Sequence, residues 1–130
     1  MKRNLNLVMG VLLLCACGGL PKVQDVPTRH LTLANTTMKQ AIFQAGAKKG
    51  WAMYEVQPGE VEGSLSIRGH EVRVRIPYTS NSYAIHYKDS SNMSYNAKKN
   101  TIHRKYNQWV QNLDLAIRRA ANVVPDTNDK

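Results

Sequence analysis

Four histidines, four glutamates and a set of arginines are the side chains here that could do chemistry. His30, His70, His86 and His103 fall at no paired spacing, such as His-x3-His, that would set two imidazoles on one metal ion. They read as polar surface, so no metal and no other cofactor is expected. Glu55, Glu60, Glu62 and Glu71 could furnish the pair of carboxylates that glycoside hydrolysis uses, but acids on strands and turns are ordinarily solvated. Ser90 and Ser91 have no local partner to activate a nucleophile, and a turn accounts for them. GAKKG, residues 46–50, lacks the spacing and the serine or threonine of a phosphate loop. No G-x-S-x-G elbow or dinucleotide fingerprint occurs. No catalytic residue is assigned, and an enzyme is not the expected class.

The basic residues form the one suggestive pattern. In EVRVRIPY (71–78) and SYAIHYK (82–88), alternation sets Arg73, Arg75, His86 and Lys88 opposite the apolar side. If Tyr78 pairs with Tyr83, Arg75 faces His86 and Arg73 faces Lys88, with Arg68 on the flank. Such a face is either a docking surface for phosphate, carboxylate or an acidic protein, or solvated surface whose like charges splay apart. Tyr78, Tyr83 and Tyr87 fall on the core side, where they cannot stack on bases, so nucleic acid is not the expected partner.

The remaining reactive group is a thiol. The stretch LVMGVLLLCACGGLPK, residues 7–22, holds both cysteines of the chain, Cys15 and Cys17. Lys2 and Arg3 precede an apolar run from Leu5 to Ala16 that is shorter than the roughly 20 residues needed to span a bilayer. A positive start, an apolar centre and a small-residue end make the plan of a secretory signal peptide. Leu14-Cys15-Ala16-Cys17 resembles the lipobox of bacterial lipoproteins. The resemblance implies diacylglycerol on the Cys17 thiol, cleavage before it and acylation of the new amine. Glycine rather than aspartate at residue 18 implies, by analogy with enteric bacteria, the outer membrane as destination, with the domain facing the periplasm. Cys15 suits the modified position poorly, because Leu13 and Leu14 would stand where small side chains belong. Each buried methylene contributes about 0.8 kcal/mol, so two or more acyl chains hold such an anchor stably.

Length and charge bound the rest. The chain has 130 residues and a net charge of +9, of which Lys2 and Arg3 would leave with the leader. One domain fits this length, and the basic excess favours anionic partners: envelope lipid, wall glycan or acidic protein. Cleavage between the cysteines would leave one of them and no internal disulfide, so packing alone must hold the domain.

The elements that must position these groups follow from pattern. Residues 1–16 read as the signal peptide, 17–34 as the lipidated cysteine and a flexible tether, 35–124 as one domain and 125–130 as a frayed tail. Thr37 and Gln40 stand in capping-box spacing. Met38, Ala41, Ile42 and Ala45 make an apolar stripe, and Gly50 follows Lys48 and Lys49, so a helix is predicted over 37–49. Residues 51–57 predict a strand. VEGSLSIR (61–68) and the strand from 71 predict a hairpin, with Gly69-His70 as a type II′ loop that opposes Leu65 to Val74 and Gly63 to Ile76. A fourth strand follows at 82–88. Tyr106, Trp109, Val110, Leu113 and Ile117 predict a strong closing helix, capped by Asn100 or Thr101. The expected fold is α+β in two layers: helix, four-stranded antiparallel meander, helix.

The expected function is a non-enzymatic, lipid-anchored accessory or binding protein of the envelope, resembling small bacterial lipoproteins of undetermined role. An unrecognised cell-wall or lipid-processing enzyme would show a deep pocket with Glu and His converging. A purely structural subunit would show a sizeable exposed apolar patch.

Overall fold

Thr37 starts the first helix as its spacing predicts: its hydroxyl accepts from the Gln40 amide at 3.2 Å, and the Gln40 side chain accepts from the Thr37 amide at 3.2 Å. Gly50, at φ 82°, closes the same helix in the left-handed conformation. The computed structural model describes residues 19–121. The signal peptide at 1–16, the modification of Cys17 and the tail at 125–130 lie outside the described residues. In chain order the elements are β1 (Val26–His30), α1 (Met38–Lys49), β2 (Ala52–Gln57), β3 (Glu60–Ile67), β4 (His70–Pro77), β5 (Ser82–Ser91) and α2 (Lys105–Ala120). The strands form one antiparallel sheet in the order β1-β5-β4-β3-β2. The fold is α+β.

Alternation along the strands decides where the core lies. Val61, Leu65, Val72, Val74, Ile76 and Ile85 are buried together with Met38 and Ile42 of α1 and Val110, Leu113 and Ile117 of α2. Both helices therefore cover one face of the sheet, and the other is left open. Met53 of β2 joins the layers closely. A Cβ at Gly46 of α1 would stand 2.3 Å from Met53 Cγ, and one at Gly63 of β3 would stand 2.9 Å from its sulfur. The bare glycine at 46 lets helix and sheet close on the stem of that side chain, while at 63 its mobile thioether end lies nearest.

Residues 17–34 are not a free tether over their described part; the sheet has five strands, not four. Val26 is buried opposite Ile85 of β5, and Lys22 makes a bridge to Thr101. The physical reason is a buried acid on α2. Asp114, 3% exposed, accepts the Tyr83 hydroxyl at 2.5 Å, Arg29 Nε at 2.8 Å and Arg118 Nη2 at 3.3 Å. A carboxylate out of water needs such donors, and β1 brings one of them. Pro27 is tolerated because β1 is an edge strand, where an absent N–H need not break the ladder.

The hairpin keeps its expected faces but not its expected register. Leu65 opposes Val72, and Val74 opposes Gly63. The turn is the cause: Arg68 at φ 51° and Gly69 at φ 79° are both left-handed, so the two-residue loop is Arg68-Gly69 in the type I′ sense. A slip of two residues leaves each side chain on its own face, and Leu65 and Val74 stay buried. The second helix starts at Arg104 with no side-chain cap, rather than at Asn100 or Thr101. Trp109 packs only partly buried against the core, at its edge.

Two substitutions probe this arrangement by urea unfolding. Leu65→Ala is expected to cost about 2–5 kcal/mol, the range for truncating a buried leucine. Asp114→Ala is expected to cost about 1–3 kcal/mol for the stranded Tyr83 hydroxyl alone, with loss of amide protection along β1 before the rest of the sheet opens.

Candidate functional site

The open face of the sheet carries most of the basic residues that the sequence singles out. Arg73, Arg75, His86 and Lys88 all project from it, whereas Arg68 sits apart in the β3–β4 turn. Arg75 stands opposite His86, as alternation predicts. Arg73 stands opposite Asp89 and not Lys88, because an irregularity in the β4–β5 ladder between Arg73 and Val74 leaves Lys88 as the extra residue.

These groups do not stand in a field of like charge. Arg73 Nε donates to Asp89 Oδ1 at 2.8 Å, with Glu71 also at 4.0 Å. Arg75 Nη1 meets Glu60 Oε1 at 3.3 Å, His86 Nδ1 lies 3.1 Å from Asp25 Oδ2, and Lys88 Nζ donates to Glu62 Oε2 at 2.5 Å. The expectation of a purely basic face is corrected accordingly: it is a lattice of both signs. The register accounts for the change. The slip sets Glu62, not Ser64, opposite Arg75 and Ser64, not Ser66, opposite Arg73. Asp25 comes from just before β1, a strand the sequence pattern missed, and its other carboxylate oxygen accepts the Tyr87 amide at 3.0 Å.

Glu62 is the centre of this lattice and its only buried member, 4% exposed. The Tyr54 hydroxyl of the neighbouring strand donates to the carboxylate oxygen that Lys88 leaves free. Burial pushes the Glu62 carboxyl up, but the Lys88 ammonium and the Tyr54 hydroxyl together outweigh it and hold it below the ordinary range. The same contacts raise Lys88 and Tyr54, and Asp89 raises Arg73. All four groups are thereby held in their neutral-pH forms, which suits recognition and not proton transfer.

Beside the lattice lies a depression of about 220 Å³ walled by Thr28, Pro77, Tyr78, Ala84 and His86 among others. Its tyrosine hydroxyls are committed elsewhere: Tyr83 to Asp114, and Tyr78 to Glu55 of β2 at 3.4 Å. No carboxylate is among its lining residues, and the one imidazole there, His86, has its Nδ1 turned to Asp25 Oδ2 at 3.1 Å. Folding also brings His70 and His103 together, with ring centres 5.4 Å apart, a proximity no spacing foretells. Each has its Nδ1 engaged by backbone, His70 with the Asn92 carbonyl at 2.6 Å and His103 accepting the Lys105 amide at 3.1 Å. Among the described residues no three groups of His, Cys, Asp or Glu gather in a way that could hold a metal ion. No helix among them is long and apolar enough to cross a membrane.

Comparison with family models, with curated proteins and with solved structures returns no match. The geometry of the open face must therefore carry the functional argument by itself.

The lowered carboxyl of Glu62 has a thermodynamic sign. Its contribution to stability is complete above the ordinary glutamate value of about 4.3 and is lost as pH falls through the lower folded value. Glu62→Gln should unfold at lower urea than the parent at pH 7, and the two midpoints should draw together in acid as the parent carboxylate is neutralised. Midpoints equally far apart in acid and at pH 7 would mean that packing, not charge, holds this position.

Proposed function

We propose that this chain is a non-enzymatic, lipid-anchored binding protein of the bacterial envelope. Acylated Cys17 holds it to the outer membrane with the domain on the periplasmic side, and the open sheet face docks a protein partner carrying charges of both signs. The observation that carries the docking reading is the half-exposed ion-pair lattice on an uncovered face. Arg73 and Asp89 are 42% and 46% exposed in their side chains. Exposed pairs of this kind are individually weak, so each can exchange its partner at small cost. A simple polyanion would have to displace Asp25, Glu60 and Asp89 while offering no cation to replace those they lose. A polypeptide surface of mixed charge supplies both halves of every exchange. Tyr54, 46% exposed on the same face, is a rigid amphipathic side chain of the kind that anchors protein interfaces.

The anchor and the face are tested separately. Mass spectrometry of the N-terminal peptide from membrane-derived protein should show acylated Cys17, and an unmodified peptide starting elsewhere would remove the anchor from this reading. For the face, a photo-crosslinking residue placed at Ser66 in living cells should give an adduct of discrete mass that the same residue at Gln111, exposed on α2, does not give. Arg73→Gln with Arg75→Gln should leave folding nearly intact, since both side chains point away from the core, and should reduce the adduct sharply. Lys48→Gln with Lys49→Gln removes equal charge from the end of α1. Equal losses in the two double variants would show that total charge alone matters and would overturn the docking role of the face.

A further inference from the structure

Among the described residues, five cations with no carboxylate partner lie on joined segments outside the open face. Every carboxylate among the described residues has a basic partner within 4.0 Å. Of the described cations left over, Arg68 sits in the β3–β4 turn, and Lys48, Lys49 and Arg119 close the C-terminal turns of α1 and α2, where the helix dipole accounts for them. Lys22, Lys98, Lys99, Arg104 and Lys105 have no such explanation. All five are exposed, and from Ser90 to Leu113 the chain carries no acidic residue to offset them. α2 itself begins at Lys105 with no acid in its first turn, which leaves the positive end of its dipole unopposed as well.

Backbone bonds make these residues one fixed surface. Ile102 donates to the Pro21 carbonyl at 3.0 Å and Val23 to the Asn100 carbonyl at 2.9 Å. The Lys22 ammonium donates to the Lys99 carbonyl, and Asn107 Nδ2 donates to the Lys22 carbonyl at 2.9 Å. The N-terminal segment is thus bound to the loop that carries Lys98 and Lys99. Pro21 is four residues from Cys17, a span of roughly 14 Å at full extension.

We propose that Lys22, Lys98, Lys99, Arg104 and Lys105 rest on the anionic phospholipid headgroups of the membrane that holds Cys17, and so fix the orientation of the domain. This rests on the anchored reading above. Pro21, which accepts the Ile102 amide, is only four residues from the proposed lipidated cysteine, so the connection keeps this surface close to the bilayer. Lysines and arginines attract an anionic surface strongly only within about a Debye length, roughly 8 Å in physiological salt, and the short connection keeps them near that range. Leu20 and Tyr95, 41% and 39% exposed, belong to the same two segments. An aliphatic and a tyrosine side chain among lysines make the composition that settles at a membrane interface.

The test uses protein purified from membranes, with its N-terminal peptide read by mass spectrometry, reconstituted into phosphatidylcholine vesicles with and without phosphatidylglycerol. Amine-reactive footprinting then reports each lysine. Labelling of Lys98, Lys99 and Lys105 should fall several-fold in the anionic vesicles and recover in high salt, while Lys48 and Lys49 label equally in both. Lys98→Glu with Lys99→Glu, both in an exposed loop, should abolish the protection of Lys105. Equal labelling of the basic end in neutral and anionic vesicles, with Cys17 acylated, would overturn the headgroup contact and leave the anchor standing. Salt-sensitive protection in a preparation with an unmodified N-terminus would support the headgroup contact and overturn the anchor instead.

Discussion

Asp114 is the group on which the closure of this domain depends. A carboxylate removed from water costs several kcal/mol unless donors replace its hydration, and α2 alone offers only Arg118. The other donors come from the sheet: the Tyr83 hydroxyl from β5 and the Arg29 guanidinium from β1. Burial and the neighbouring carboxylate both push the Tyr83 phenol upward, so it remains a donor wherever the protein is folded. Asn107 repeats the scheme one end along, with its side chain bonded to Gln24 and Lys22 of the N-terminal segment. The helix cannot seat without the segment before α1, and that segment has little reason to order without the helix.

The same interdependence separates what the sequence reveals from what it conceals. The capping box of α1, the stripe of α2 and the alternation of β3, β4 and β5 are local, and all are legible within a few residues. β1 is not, because VPTRH has one buried apolar residue and a proline, and its stabilising partner lies 85 positions away. Register is legible only as far as parity. Val72, Val74 and Ile76 must face inward in any pairing that differs by two, so the apolar pattern could not choose between Gly69-His70 and Arg68-Gly69 as the loop.

That choice of turn has an electrostatic consequence larger than its steric one. With the loop at Arg68-Gly69, Glu62 rather than Ser64 stands opposite Arg75, and with Asp89 and Asp25 beside Arg73 and His86 a surface that reads as basic in one dimension is balanced in three. The charge excess evident from composition is still present, but it moves to a loop whose lysines the alternation argument never reached. Composition correctly announces a basic molecule; only the pairing of distant strands says where the basicity is.

That Lys22 already bridges to Thr101 has a mechanical meaning. A domain of about a hundred residues has a radius of gyration near 13 Å, and an anchor at Cys17, as proposed, would give it a leash only about as long as that radius. So held, the molecule would not be a lure cast into the periplasm to sweep a wide volume. Under the proposed anchoring it would be closer to a stud on the membrane surface, meeting only what travels along the bilayer or is itself pressed close to it. Binding would then be governed by lateral encounter in two dimensions, where even weak, exchangeable ion pairs suffice because the partner cannot diffuse far away.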